Sequence, residues 1–398
     1  MSASLRAFLR LSRLRFLAGG VAGGALGTAV AAYETGAVDW RSYALAQVTI
    51  SAFHLMTHYA NDYFDRGGDA AAVRTAFSGG SGALVDGSLQ PRVALLAAIA
   101  CLGAGALAGG ALWRAGHAAL AAQIAIAIAV LAWSYSAPPL RLLARGLGEL
   151  DATLVVAILV PLCAFAAQRG AVDSHALLAT LPGAAAMFAM MLAVEFPDLE
   201  ADAACGKRNL LVRFGAATGA RLGATALLVL YASAALAPLA GAPPAAALAI
   251  AATLPLGFGY LRALGRGQEI QPEQLAGRAV ALFFVVTVYG ALGYAACAGN
   301  LPKGGLRAET KAAGSMVEPS VTHVESLYER ANAALDAVRP AIQRDGGDVW
   351  LVRIDGSTAY VQMVGACGGC PMSNATLRGG IEAAVRGRCP EITSVEQV

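Results

Sequence analysis

Asn61-Asp62-Tyr63-Phe64-Asp65-Arg66-Gly67-Gly68-Asp69 sets three carboxylates at i, i+3 and i+7 where a long apolar segment ends. That spacing keeps all three on one helical face if the helix runs past the segment. Ionisable groups beside a membrane-length apolar run are costly, so they mark function rather than decoration. The stretch reads as a metal site at a membrane surface, with Asn61 four residues before Asp65. A second cluster, Glu195-Phe196-Pro197-Asp198-Leu199-Glu200-Ala201-Asp202, closes another apolar segment. Hard carboxylate oxygens without Cys or His partners suit Mg²⁺ rather than zinc. Two such clusters imply a bound diphosphate, with Asp62, Asp65, Asp69, Asp198 and Asp202 shared between metal ions. Lys207 and Arg208 stand close by in sequence to hold terminal phosphate oxygens, and no Gly-rich Lys-Ser/Thr loop for a triphosphate is present.

The chain around these clusters is mostly membrane protein. Of 398 residues, 57% are hydrophobic and 14% charged, too apolar for a soluble enzyme of this length. Apolar runs near 14–33, 43–62, 93–112, 117–136, 150–168, 175–195, 218–239, 244–264 and 278–298 reach about the ~20 residues that cross a bilayer. They predict an all-α polytopic bundle of about nine transmembrane helices. Arg6, Arg10, Arg13 and Arg15 precede the first, which reads as a helix with a basic cytoplasmic flank rather than a secretory signal. Counting from a cytoplasmic start, the loops at 63–92, 137–149, 196–217 and 265–277 fall inside, and most of the basic residues lie in or beside them. Both acidic clusters then share the cytoplasmic face of an inner membrane. Gly79, Gly80 and Gly82, with Pro138 and Pro139, break the helices beside the clusters and are placed to cap the site. The net charge of +3 is small and sits in short loops, so it speaks to orientation and not to nucleic acid.

Residues 1–300 hold 19 Lys+Arg and 15 Asp+Glu, whereas 301–398 hold 10 and 11, nearly twice the density. The shift divides the chain into a membrane domain (1–298), a Gly/Lys/Ala/Ser/Pro-rich linker (299–320) and a soluble domain (321–398). The soluble part predicts a small α+β unit in the order α-β-β-α-β. It has a helix over 324–343, a hairpin of Val349–Ile354 and Thr358–Val364 about Asp355-Gly356, a helix from Ser373 or Asn374 to about Arg386, and a last strand Ile392–Val395. Among seven cysteines, Cys367 and Cys370 have ligand spacing, while the remainder read as packing residues. His54 and His58, spaced i, i+4, read as packed polar residues facing a cavity rather than as zinc ligands.

The complete Asn61-to-Asp69 motif and the Asp198-to-Asp202 motif resemble the signatures of the UbiA superfamily of intramembrane aromatic prenyltransferases, over essentially the whole membrane part. The resemblance implies Mg²⁺-dependent transfer of a polyprenyl group from its diphosphate to an aromatic acceptor, with Asp62, Asp65, Asp198 and Lys207 in catalysis. Asn61, Arg74, Tyr135, Arg141 and Arg208 would then bind substrate. Within the superfamily, Arg74-Thr75-Ala76-Phe77-Ser78-Gly79-Gly80-Ser81-Gly82, Tyr135-Ser136-Ala137-Pro138-Pro139-Leu140-Arg141 and Gly206-Lys207-Arg208-Asn209-Leu210 look most like the 1,4-dihydroxy-2-naphthoate polyprenyltransferases of menaquinone synthesis. Pro139 stands where the 4-hydroxybenzoate branch carries a Lys. Other superfamily acceptors (4-hydroxybenzoate, a chlorin, a glycerol phosphate) remain alternatives.

The tail, with Val338-Arg339-Pro340-Ala341-Ile342-Gln343-Arg344-Asp345-Gly346-Gly347-Asp348-Val349 and then Gly365-Ala366-Cys367-Gly368-Gly369-Cys370-Pro371-Met372-Ser373, resembles the NifU C-terminal domain of iron-sulfur cluster assembly. That likeness implies a four-iron cluster on Cys367 and Cys370, shared between two chains because each supplies two thiolates, and hence a homodimer through this domain. Cys389 falls outside the pattern and reads as a packing residue. Nine spans from a cytoplasmic start carry the tail to the far side, whereas free thiols and a labile cluster belong in a reducing compartment. Lys303, Arg307 and Lys311 favour the cytoplasm, where we expect the domain. The rival reading from another class is a membrane-tethered iron-sulfur carrier whose bundle is only an anchor.

Overall fold

The computed structural model describes residues 2–71, 74–75, 77, 80–115, 118–265, 272–298, 330–332, 334–335, 338–339, 342, 347–355, 357–365, 380–389 and 391–397. The chain divides into two units, Met1–Gly305 and Leu306–Val398.

The first unit is all helix among its described residues. A short helix α1 (Ala3–Ser12) breaks at Arg13, whose left-handed backbone (φ 45°) turns the chain into α2 (Leu17–Thr35). Then follow α3 (Trp40–Phe64), α4 (Arg66–Ala71), α5 (Pro91–Arg114), α6 (Ala119–Ser134) and α7 (Gly148–Ala152). A π-helical stretch (Thr153–Leu159) leads into α8 (Val160–Arg169). The rest are α9 (Ser174–Glu195), α10 (Leu199–Ala204), α11 (Leu210–Phe214), α12 (Ala216–Leu236), α13 (Pro244–Ala251), α14 (Leu254–Gly265) and α15 (Pro272–Cys297).

Each predicted apolar run falls on one of these helices or on a bent pair. Six helices among the described residues are long and apolar enough to cross a membrane, and the pair α13–α14, bent by 42°, makes a seventh if it is one span. The predicted nine therefore exceeds what length and composition support. The helix α6 is apolar but has 16 residues. In α3, 25 residues long, Gln47, His54, His58, Asn61 and Asp62 dilute the apolar content. Of the polar residues that make α3 a poor span by composition, His54, His58 and Asn61 line the cavity described below.

Helix ends follow local chemistry. Asp39 caps α3 by accepting the Arg41 and Ser42 amides (3.0 and 3.3 Å), and Asp173 caps α9 through the Ala176 amide (2.8 Å). Small residues set the packing. A Cβ on Gly27 would lie 1.9 Å from the Pro161 carbonyl oxygen, so α2 and α8 meet backbone to backbone. Gly27→Leu is expected to destabilise the bundle by about 3 kcal/mol through overpacking, read as a lower melting temperature in detergent. Gly110→Leu, on an open face of α5 with nothing within 4 Å of the new Cβ, should leave it unchanged. Away from the acidic motifs, Glu34 joins Arg169 (3.2 Å) and His175 (2.8 Å), and His175 meets the Tyr294 hydroxyl at 3.2 Å, tying α2, α8, α9 and α15 together.

The second unit holds a three-stranded sheet. Strands β1 (Gly347–Asp355) and β2 (Thr358–Gly365) form the predicted antiparallel hairpin, with an irregularity between Leu351 and Arg353. Alternation along β1 turns Val349 and Leu351 inward while Trp350 and Val352 stay exposed. Strand β3 (Ser394–Gln397) pairs parallel to β2. It starts two residues later than predicted because Ile392 is spent in the core and the Thr393 amide donates to the Ser357 carbonyl at 2.7 Å. The described residues between 330 and 342 are helical, and α16 (Glu382–Arg388) completes the core with Val385. Cys389 is buried among these residues, as expected of a packing side chain. Ser373 and Asn374, the expected caps, lie outside the described residues, as do Cys367 and Cys370 and most of the predicted linker.

Candidate active site

The helix that carries the first motif does not run through it. α3 stops at Phe64, Asp65 closes it by donating its amide to the Asn61 carbonyl (2.8 Å), and the Asp69 amide then donates to the Asp65 carbonyl (3.0 Å). Asp65 and Asp69 consequently face one cavity together. Asp62 does not. Its carboxylate, 2% exposed, forms an ion pair with Arg13 and accepts from both the amide and the hydroxyl of Ser81. The predicted single acidic face is thus split, and Asp62 holds the α1–α2 junction and the loop before α5 against α3. Asn61 remains a cavity residue and donates to the Ser136 hydroxyl at 2.8 Å.

The second motif begins where α9 ends. The Asp198 amide donates to the Glu195 carbonyl (3.1 Å) and the Asp202 amide to the Asp198 carbonyl (2.7 Å), which brings both side chains to the same cavity. Lys207 joins the motifs, its ammonium lying 2.8 Å from Asp65 Oδ2 and 3.0 Å from Asp202 Oδ1. Asn209 donates to Asp202 Oδ2 (2.9 Å) while its Oδ1 caps α11 through the Val212 amide (2.8 Å). Burial raises the Asp69 carboxyl to about 6, with the neighbouring Asp65 charge adding to it. Burial likewise raises Asp202, against the pull of Lys207. Burial opposes the Lys207 ammonium, but Asp65 and Asp202 outweigh it and hold that group above the ordinary lysine range.

Above these groups the cavity, about 290 Å³, becomes apolar, walled by Ile50, Phe53, Ile128, Val155, Met187, Met191, Phe283 and Phe284. One mouth, polar and acidic, opens onto a greasy interior. Tyr135 and the His54–His58 pair (ring centroids 4.8 Å apart) also face it. The predicted glycine-rich cap is present in part: Phe77 and Gly80 line the cavity, while Ser78 and Gly79 lie outside the described residues. Gly80 has φ +68°, and a Cβ there would sit 2.0 Å from Asp69 Oδ2, so the position has room for glycine alone. A second cavity, about 450 Å³, adjoins the first and is lined by Arg10, Arg13, Arg15 and Arg74.

Three of the expected substrate-binding residues are placed differently. Arg141 is exposed, with a left-handed backbone (φ 45°), and does not line the acidic cavity. Arg208 is exposed too, its role being a backbone contact to the Ala144 carbonyl (3.3 Å). Arg74 lines the arginine-rich cavity and donates to the Ser81 carbonyl at 3.0 Å. Arg13, Ser81 and Asn209, by contrast, were not anticipated. Among the described residues, no three His, Cys, Asp or Glu side chains are grouped tightly enough to hold a metal as they stand. The donors fit Mg²⁺ by chemistry: Asp65, Asp69, Asp198 and Asp202 offer hard oxygens in one cavity, where a divalent cation would favour their ionised form against the burial that raises Asp69 and Asp202.

Comparison with known proteins matches both parts. The model of the NifU-like domain matches residues 332–396, and that of the UbiA prenyltransferase family residues 21–288. A nitrogen fixation protein NifU of Anabaena sp. (strain L31) is 36% identical over 99 residues, 25% of this chain and 88% of that protein. NifU-like protein 2, chloroplastic, of Arabidopsis thaliana is 41% identical over 76 residues, 19% of this chain. The chain spans about a third or less of that relative and of two others, from Oryza sativa subsp. japonica and Azotobacter chroococcum mcd 1 (32, 29 and 20%). Two solved structures share the membrane fold. A digeranylgeranylglyceryl phosphate synthase has a TM-score of 0.54 at 15% identity, covering 75% of this chain and 100% of that one. A UbiA homolog from Archaeoglobus fulgidus, bound to GPP and Mg²⁺, has 0.50 at 20%, covering 74% and 99%. With its membrane unit matched over most of its length and the small sheet unit matched separately, the chain belongs to the UbiA prenyltransferase family and carries a NifU-like domain.

Proposed function

We propose that the membrane unit, residues 1–298, is a Mg²⁺-dependent transferase that moves a polyprenyl group from its diphosphate to an aromatic acceptor, with 1,4-dihydroxy-2-naphthoate as the acceptor and menaquinone as the end product. The observation that carries this reading is the junction of both acidic motifs at Lys207, at the mouth of an apolar cavity. The A. fulgidus homolog, whose structure holds GPP and Mg²⁺, supports it by analogy of fold. Asp65, Asp69, Asp198 and Asp202 would hold the metal ions. Bound Mg²⁺ supplies charge that stabilises a departing diphosphate. Lys207, poised between Asp65 and Asp202, turns to the leaving oxygens, and Asn209 keeps Asp202 in place. The allylic C–O bond breaks with its electron pair going to diphosphate. A ring carbon of the acceptor forms the new C–C bond; on the route to menaquinone that carbon bears the carboxylate, which leaves as CO₂ while its bonding electron pair restores the aromatic ring, whereas a carbon bearing hydrogen would lose a proton to the departing diphosphate. The prenyl tail lies along the apolar wall and the acceptor enters beside Tyr135.

We read α3 and α6 as crossing the membrane with the six apolar helices and the bent pair, which gives nine spans, with the acidic mouth on the cytoplasmic face of an inner membrane. The NifU-like unit, from 321 onward beyond a linker at 299–320, would carry a four-iron cluster on Cys367 and Cys370 shared between two copies. A panel assay on membranes containing Mg²⁺ and a polyprenyl diphosphate, comparing dihydroxynaphthoate, 4-hydroxybenzoate, a chlorin and a glycerol phosphate, tests the acceptor. Fastest turnover on any acceptor other than dihydroxynaphthoate would replace the naphthoate reading. Truncation after residue 300 should leave the transfer rate within about twofold, because every residue assigned to the reaction precedes that point. An inactive truncated protein whose full-length parent is active would show that the NifU-like unit contributes to catalysis.

A further inference from the structure

Three acidic side chains other than the carboxylates of the Asn61-to-Asp69 and Asp198-to-Asp202 motifs stand where α7 and the end of α9 meet. Glu149 has a visible structural duty. Fully buried, it accepts the Leu210 amide at 2.5 Å, and its backbone carbonyl accepts the Thr153 hydroxyl at 2.7 Å, so it pins the loop after Asp202 to α7. Asp151 and Glu195 have no comparable duty. They are 6% and 7% exposed and both line the cavity; no donor among the described residues reaches Asp151 Oδ1, and the Glu195 carboxyl meets the Glu149 carboxyl, with which it can share one proton, leaving its second oxygen without a donor. Glu195 faces Glu149, and Tyr135 stands close to all three. Lys207 is engaged by Asp65 and Asp202. A buried acceptor without a donor is costly, and the orphaned oxygens that remain on the wall of the cavity call for a ligand that donates.

We infer that Asp151 and Glu195 form the acceptor's subsite: they accept hydrogen bonds from hydroxyl groups on the aromatic ring. The inference rests on the transferase reading above and gives its acceptor a chemical requirement and an orientation. A hydroxyl satisfies the orphaned oxygens, whereas a ring that offers no donor leaves them unpaired. For 1,4-dihydroxy-2-naphthoate this turns the 4-hydroxyl toward α7 and the 1-hydroxyl with its neighbouring carboxylate away from it. Sites built on buried hydrogen-bonding groups reject analogues that cannot pair with them far more strongly than apolar pockets reject a missing methylene.

The test is direct binding, measured calorimetrically under nitrogen on the full-length protein in detergent, with 1,4-dihydroxynaphthalene and its dimethyl ether as probes. The wild type should prefer the dihydroxy compound by about 50-fold or more. In Asp151→Asn and in Glu195→Gln, which introduce a donor able to serve a methoxy oxygen, the preference should fall below about fivefold. Mg²⁺-dependent binding of geranyl diphosphate should stay unchanged and reports that each variant is folded. Equal binding of the two probes by the wild type, or an undiminished preference in both variants, overturns the inference. A wild type that binds the dihydroxy probe selectively but prenylates no arene supports the subsite and refutes the transferase reading.

Discussion

Asp65→Ala and Asp202→Ala are each expected to lower prenyl transfer by on the order of 10³-fold or more, comparable to losing a preorganised electrostatic group from a transition state. Either change removes a carboxylate from the acidic mouth and also frees Lys207, since its ammonium is held at 2.8 and 3.0 Å by those two side chains. Single-turnover assays with saturating polyprenyl diphosphate and acceptor, titrated with Mg²⁺, measure the loss. Higher Mg²⁺ should recover only part of it, because an ion cannot restore the position of Lys207. Asp62→Asn makes the comparison. It weakens the tie to Arg13 but can still accept from Ser81, so the loss should be closer to tenfold, as for a group acting on position rather than on developing charge. Equal losses in all three variants would mean that Asp62 joins the reacting groups. Rates near wild type in Asp65→Ala would remove the acidic mouth from the mechanism.

Cys367→Ser and Cys370→Ser should each abolish cluster binding by the full-length protein. After anaerobic reconstitution in detergent the wild type should hold about four irons and four sulfides per two chains, because a cubane cluster takes about four thiolates and each chain offers two. Visible absorbance and the cluster-dependent dimer should vanish together in either variant. Cys389→Ser should keep both, since Cys389 is buried in the core of the small unit beside Val385 and Ile392. A cluster that survives loss of Cys370, or disappears with Cys389, would reassign the ligands.

The parts of this protein legible from its sequence are those written in short-range chemistry. Apolar runs of membrane length placed every large helix, because a bilayer demands an internally hydrogen-bonded, greasy segment wherever the chain crosses it. The two acidic motifs stood out because each is local, three or four residues apart across one helix turn, in surroundings where charge is costly. The hairpin of the small domain was equally plain, its alternation and its Asp-Gly turn lying within about ten residues of each other.

Tertiary structure decided which of these groups meet. Asp62 belongs to the same motif as Asp65, yet it is claimed by Arg13, 49 residues away, and Ser81, so it leaves the cavity its neighbours line. Arg13 itself looked like one more basic residue on a cytoplasmic flank, because nothing near it in sequence names its partner. Arg141 and Arg208 carried the right charge near the right motifs and are exposed outside the acidic cavity, whereas Asn209, beside Arg208, holds Asp202. Glu149 finds the Leu210 amide 61 residues later, and Asp151 and Glu195 come to line one cavity from helices that only packing brings together. A helical face is set by periodicity along the chain, but a site is set by which faces pack against each other. That pairing is fixed by close approaches such as Gly27 against Pro161, which no local pattern encodes.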